Sequence, residues 1–180
     1  MTGSPSLDRE AIERILTRLA ERLDRRGVTA DLYIFGGAAI ALAFDARRAT
    51  RDIDALFVPH GVVLDEARAV ADEFGLPHWW LNEQASAYVA PGVDVDAPRV
   101  FDRPGLRVAI ASPVRLLAMK VMAARPRDEQ DIRLLAEHLR LTTADELLTL
   151  TAEVFPDEQV PDRARLLIED LMAEGGSGRG

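Results

Sequence analysis

Apolar residues recur at Ile12, Ile15, Leu16, Leu19 and Leu23 with arginine and glutamate between them, a spacing that predicts an amphipathic helix over 7–26, stopped by Gly27. The run 31–35 is short, apolar and aromatic, as a buried strand is, and Gly36-Gly37 breaks it before a short helical stretch at 38–44. Over 50–58 the period becomes two: Asp52 and Asp54 alternate with Ile53, Ala55 and Phe57, so a strand here carries both acids on one side and the apolar residues on the other. A helix follows over 62–74, ended by Gly75 and Pro77, then a strand at 79–81. Residues 88–102 are loop-like, with Pro91, Gly92 and Pro98, and enter a strand near Val100; 106–111 is another apolar strand. Ser112-Pro113 reads as a cap with proline in the first helical position, opening a helix to about 124. The stretches 128–140, 143–155 and 161–173 are helical by period, and 175–180 reads as a flexible tail.

Composition narrows the function classes. The chain has 180 residues, 48% hydrophobic and 29% charged, enough for a real core. Cysteine is absent, and His60, His78 and His138 are scattered without ligand spacing, which argues against thiolate or zinc chemistry. No apolar run approaches the roughly 20 residues of a membrane helix, and 1–6 lacks a basic region followed by an apolar one, so a cytoplasmic protein with no membrane partner is expected. A net charge of −8 excludes nonspecific coating of nucleic acid; any RNA must be held by a local arginine cluster such as Arg47, Arg48 and Arg51, with Arg125 and Arg127.

The residues that carry chemistry lie in two stretches. Adjacent same-face carboxylates in an apolar strand repel unless a cation lies between them, which makes Asp52 and Asp54 candidate Mg²⁺ ligands. Gly36 and Gly37, between a strand and a helix, offer backbone N–H groups and open space to the β- and γ-phosphates of a nucleoside triphosphate. Between them, Arg47, Arg48, Thr50 and Arg51 form either a solvated basic edge or contacts to triphosphate or an RNA end. Lys120 is the only lysine among 22 basic residues, and is either a snorkelling helix residue or a phosphate-binding ammonium. Asp128 and Asp131 share a helix face, as a dipole-favoured N-terminal pair or as part of a site. Trp79, Trp80 and Tyr88 suit a core, or a platform for a base.

The combination Gly36-Gly37 with Thr50-Arg51-Asp52-Ile53-Asp54 resembles the signature of the DNA polymerase β-like nucleotidyltransferase superfamily. Leu117 to Lys120 with Ala124 to Leu135 looks like the second signature of its AbiEii-type and MenT-type branch, toxins of bacterial toxin–antitoxin systems. The resemblance covers about 33–141 and implies an α+β nucleotidyltransferase fold, a mixed sheet flanked by helices with a helical C-terminal region. It implies a core with an N-terminal helix over 1–112, a helical region over 113–174 that completes the site, and a tail over 175–180. Asp52 and Asp54 are then Mg²⁺ ligands, Lys120 reaches the nucleotide phosphates, and Asp131 or Asp128 supports the site. The implied activity is transfer of a nucleoside monophosphate from an NTP to RNA, at the tRNA 3′ end, by a toxin with a cognate antitoxin. The alternatives are an antitoxin-like protein adenylyltransferase and a non-catalytic binding module. The sequence departs from the superfamily pattern at Gly37, where serine is usual, and shows no third strand carboxylate: Asp94 and Asp96 read as loop acids, and Asn82-Glu83 as an alternative.

Overall fold

A computed structural model describes residues 6–176. They form two compact units, one of residues 6–86 and 96–111, the other of 87–95 and 112–176. Among the described residues the chain is α+β, with a five-stranded mixed sheet and seven α-helices.

The first unit holds α1 (Arg9–Arg25), β1 (Ala30–Phe35), α2 (Gly36–Ala43), β2 (Ile53–Val58), α3 (His60–Phe74), β3 (Leu81–Asn82), β4 (Arg99–Arg103) and β5 (Leu106–Ile110). The sheet order is β3-β2-β1-β5-β4. β1 runs antiparallel to β2 and parallel to β5, β2 runs parallel to β3, and β4 is antiparallel to β5. Period-two alternation sorts the two faces. Leu32, Ile34, Ile53, Ala55, Phe57, Val108 and Ile110 are buried, together with Ile12, Ile15, Leu16, Leu19 and Leu23 of α1. The opposite face presents Asp31, Tyr33, Asp54, Leu56, Arg107 and Ala109 at intermediate or full exposure.

Several boundaries differ from expectation. The strand predicted over 50–58 begins at Ile53, because Thr50 instead exchanges backbone hydrogen bonds with Leu7 (2.7 and 2.9 Å) in an isolated antiparallel bridge. Asp52 therefore lies on a bend just before the strand. The strand expected at 79–81 is Leu81–Asn82; Trp80 turns into the core, where its indole N–H donates to the Ala67 carbonyl at 2.8 Å, while Trp79 is 45% exposed. The glycine pair forms the first turn of α2, with Gly36 at φ 68°, a conformation open to glycine at little steric cost.

An ion-pair ladder ties α1 to α3. Arg22 contacts Glu66 and Glu73 at 2.6 Å each, Arg26 contacts Glu66 at 2.9 Å, and Arg18 also holds Glu73. Burial pushes the Glu66 pKa up, but hydrogen bonds from Arg26 and Arg22 outweigh it and hold the group below its ordinary value of 4.5. The Arg18 hydrogen bond does the same for Glu73. A depressed folded-state pKa contributes stability above the unfolded value that disappears as pH falls through the folded one. The first unit is therefore expected to lose stability steeply below the ordinary value of 4.5, and Glu66→Gln should flatten that loss. Thermal unfolding followed from neutral pH to about pH 3 checks this.

The second unit is helical: α4 (Pro113–Ala123), α5 (Glu129–His138), α6 (Ala144–Val154) and α7 (Asp162–Gly176), with α4 packed on the other three. Leu116, Leu117, Val121, Ile132, Leu135, Leu147, Phe155 and Ile168 form its core. Thr143 and Glu146 close a reciprocal capping box on α6. Gly175 and Gly176, expected in the tail, complete α7; 177–180 lie outside the described residues.

Candidate functional site

In the first unit the glycine turn and the acids of β2 are neighbours. Phe35, the last residue of β1, pairs in register with Asp54, and the chain turns directly into α2. A Cβ added at Gly36 would lie 3.2 Å from Asp54 Oδ2, and one at Gly37 would lie 3.2 Å from Thr50 Oγ1. Both positions thus back onto the polar residues singled out from the sequence, and only a residue without a Cβ leaves that space open. Thr50 Oγ1 donates to the Asp52 carbonyl at 3.1 Å, which shapes the bend that carries Asp52. On the other flank Asn82 of β3 pairs in register with Asp54, and its amide donates to Asp52 Oδ2 at 3.2 Å.

The basic stretch has its own anchor. Asp45 accepts from the Arg47 backbone N–H at 3.0 Å and contacts its guanidinium at 3.3 Å; the backbone hydrogen bond is the main cause of its lowered pKa. Arg48 lies half-exposed in the turn that follows, and Arg51 is exposed. Glu83 pairs with His60 at 2.7 Å and so is engaged outside the acid pair.

In the second unit Lys120 does not snorkel. It is 7% exposed, and its ammonium sits 2.7 Å from Asp128 Oδ1 and 2.8 Å from Asp131 Oδ2, both acids buried as well. Lys120 on the last turn of α4, Asp128 at the N-cap of α5 and Asp131 on its first turn form one charged cluster. Tyr88 lies under the Arg125 guanidinium, 5.4 Å from ring centroid to Cζ, a cation–π contact within the unit.

The tertiary roles of Asp94 and Arg115 escaped sequence reading. Ser112 stands at the N-cap of α4 without a side-chain cap bond; instead Asp94 Oδ2 accepts the Ser112 N–H at 2.8 Å. Arg115 donates to the carbonyls of Ala90, Gly92 and Val93 at 2.9, 3.2 and 3.0 Å, fastening segment 87–95 to α4. The only signal in the sequence was an aspartate amid proline and glycine, which most often marks a turn.

A family described as nucleotidyltransferase of unknown function (DUF6036) matches residues 11–167. The chain belongs to that nucleotidyltransferase family. The match spans both units, so the helical unit is part of the nucleotidyltransferase family's pattern and not an appendage to it. No curated protein and no solved structure matches the chain.

The donor chemistry of the acid pair suits a hard cation. Among the described residues no group of three or more histidine, cysteine, aspartate or glutamate side chains is placed to hold a metal ion. Mg²⁺ is commonly bound through one or two carboxylates together with substrate phosphates, so two aspartates beside an open glycine turn fit such an ion. No helix among the described residues is long and apolar enough to cross a membrane.

Proposed function

We propose that this protein transfers a nucleoside monophosphate from an NTP to an acceptor hydroxyl, releasing pyrophosphate. The observation that carries the reading is the glycine turn backed against Asp54: an anion cradle and a carboxylate pair meet on adjacent strands of a chain that belongs to a nucleotidyltransferase family. The acceptor oxygen attacks the α-phosphorus as its hydroxyl proton passes to solvent, the bond to the bridging α–β oxygen breaks, and that oxygen leaves with the electron pair as pyrophosphate. Gly36 and Gly37 present backbone N–H groups at the start of α2 to the phosphates, and the absence of Cβ atoms lets them approach. Asp52 and Asp54 hold Mg²⁺, which when bound neutralises phosphate charge and acidifies the acceptor hydroxyl. Thr50 orders the bend, and Arg48, half-buried between the glycine turn and Asp52 in the chain, is the arginine assigned to the triphosphate.

The acceptor is RNA, at the tRNA 3′ end, and the biological role is that of a toxin neutralised by a cognate antitoxin in a bacterial cytoplasm. The support is the pair of sequence stretches, Gly36 to Asp54 and Leu117 to Leu135, that resembles the toxin branch. The decisive experiment incubates the protein with each α-labelled NTP, Mg²⁺, total tRNA and cell lysate. Label in tRNA supports the reading; label in protein alone overturns the RNA acceptor in favour of protein adenylylation; label in neither overturns transfer itself.

A further inference from the structure

Asn82 is a neutral side chain set against two acids. It is 8% exposed and occupies the second residue of β3, where its register partner is Asp54. Its amide nitrogen donates to Asp52 Oδ2 and to the Trp79 carbonyl, each at 3.2 Å, while its Oδ1 accepts the Gln84 N–H at 2.9 Å. This network fixes which way the amide points. Flipping it would set an oxygen against two oxygens and a nitrogen against an N–H, losing all three bonds.

Asp52 needs such a partner more than Asp54 does. Asp54 lies within β2, with its backbone held by strand pairing on both sides, whereas Asp52 is on the bend before the strand and has no register partner. Thr50 orders its backbone through the carbonyl, and Asn82 orders its carboxylate. A donor that is neutral does this without adding a third negative charge next to the pair.

We propose that Asn82 is a positioning residue: it holds the Asp52 carboxylate in the orientation in which, with Asp54, it binds the divalent cation. The inference rests on the reading of Asp52 and Asp54 as cation ligands. Partners that orient a ligating carboxylate typically contribute about 10–100-fold to metal affinity, so Asn82→Ala should weaken Mn²⁺ binding by about tenfold or more. Asn82→Leu, which keeps the buried volume but has no donor, should do the same. The metal concentration for half-maximal turnover should move by the same factor, with most of the rate recovered at saturating metal.

The test is a Mn²⁺ titration followed by electron paramagnetic resonance, with a non-hydrolysable NTP analogue present, on the wild type, Asn82→Ala, Asn82→Leu and Asp52→Asn, and on Asn82→Ala in the Asp52→Asn background. If Asn82 acts through the Asp52 carboxylate, it adds much less loss once that carboxylate is an amide, which still accepts from Asn82 but no longer ligates as an anion. Wild-type affinity in both Asn82 variants overturns the proposal while leaving the cation reading intact. So does a loss that adds in full on the Asp52→Asn background, because that is the mark of a general structural effect. Absence of Mn²⁺ binding in the wild type overturns the cation reading, and the role of Asn82 with it.

Discussion

Lys120→Ala should lower the unfolding midpoint of the helical unit by on the order of 10 °C, the largest stability loss expected of any single substitution in the charged clusters. The ammonium lies within 2.8 Å of both Asp128 and Asp131, and all three side chains are at most a tenth exposed. Removing it takes the ammonium away from two buried carboxylates, at a cost of about 3–5 kcal/mol for a broken buried pair. Lys120→Arg should recover only part of this, because a planar fork cannot occupy the point between two oxygens that a compact ammonium fills. The control is Lys120→Met combined with Asp128→Asn and Asp131→Asn. With no charge left to strand, its midpoint should return to near that of the wild type, as replacement of whole buried ion pairs often does. Circular dichroism melts of the set decide the matter, and a Lys120→Ala midpoint within about 2 °C of wild type would refute the buried-cluster account. Turnover of the stable triple variant then separates structure from catalysis: if the ammonium serves nucleotide phosphates, activity stays lost although the fold has recovered.

That cluster shows where sequence reading reaches and where it ends. The scarcity of lysine marked Lys120, and the helical spacing of Asp128 and Asp131 marked a shared face, but whether the ammonium ends in water or between acids depends on how α4 and α5 meet. The alternation of Ile53, Ala55 and Phe57 with Asp54 and Leu56 exposed the two faces of β2, because period two is a local property of the backbone. The start of the strand was not legible, since the bridge between Thr50 and Leu7 links residues distant in sequence. For the same reason Asn82 read only as an alternative to a missing acid: β3 has two residues, too few to show a period, and its register with Asp54 is a tertiary fact. Asp94 looked like a loop acid and accepts the N–H of Ser112, the N-cap of α4, across 18 positions. The individual helices and strands followed from their apolar periods and the mixed sheet flanked by helices from the family resemblance, while the parts that shape the site lie on bends and short strands.

Asp52→Asn and Asp54→Asn should each reduce nucleotide transfer by on the order of a thousandfold and leave the unfolding midpoint unchanged or slightly raised. A divalent ion stabilises developing charge in the transition state by several kcal/mol, and each 1.4 kcal/mol or so is a factor of ten in rate, so loss of one of the two proposed carboxylate ligands accounts for the size. The direction of the stability change follows from the like charges. Both acids are half-buried and neighbour Asn82, Asp52 by a hydrogen bond and Asp54 by strand register, and their like charges raise the free energy of the metal-free fold, which a neutral amide relieves. Asparagine at 52 still offers an oxygen to the Asn82 amide, so the bend has no reason to move, and asparagine at 54 keeps the strand pairing with Phe35. Opposite signs in activity and stability distinguish a ligand from a structural acid, for which both would fall together. Rates with labelled NTP and melts without metal should be taken on the same preparations, and the Mn²⁺ titration should show each variant binding more weakly than the wild type. Retained transfer in both variants would remove Asp52 and Asp54 from the chemistry and leave the glycine turn without the partners that make it a site.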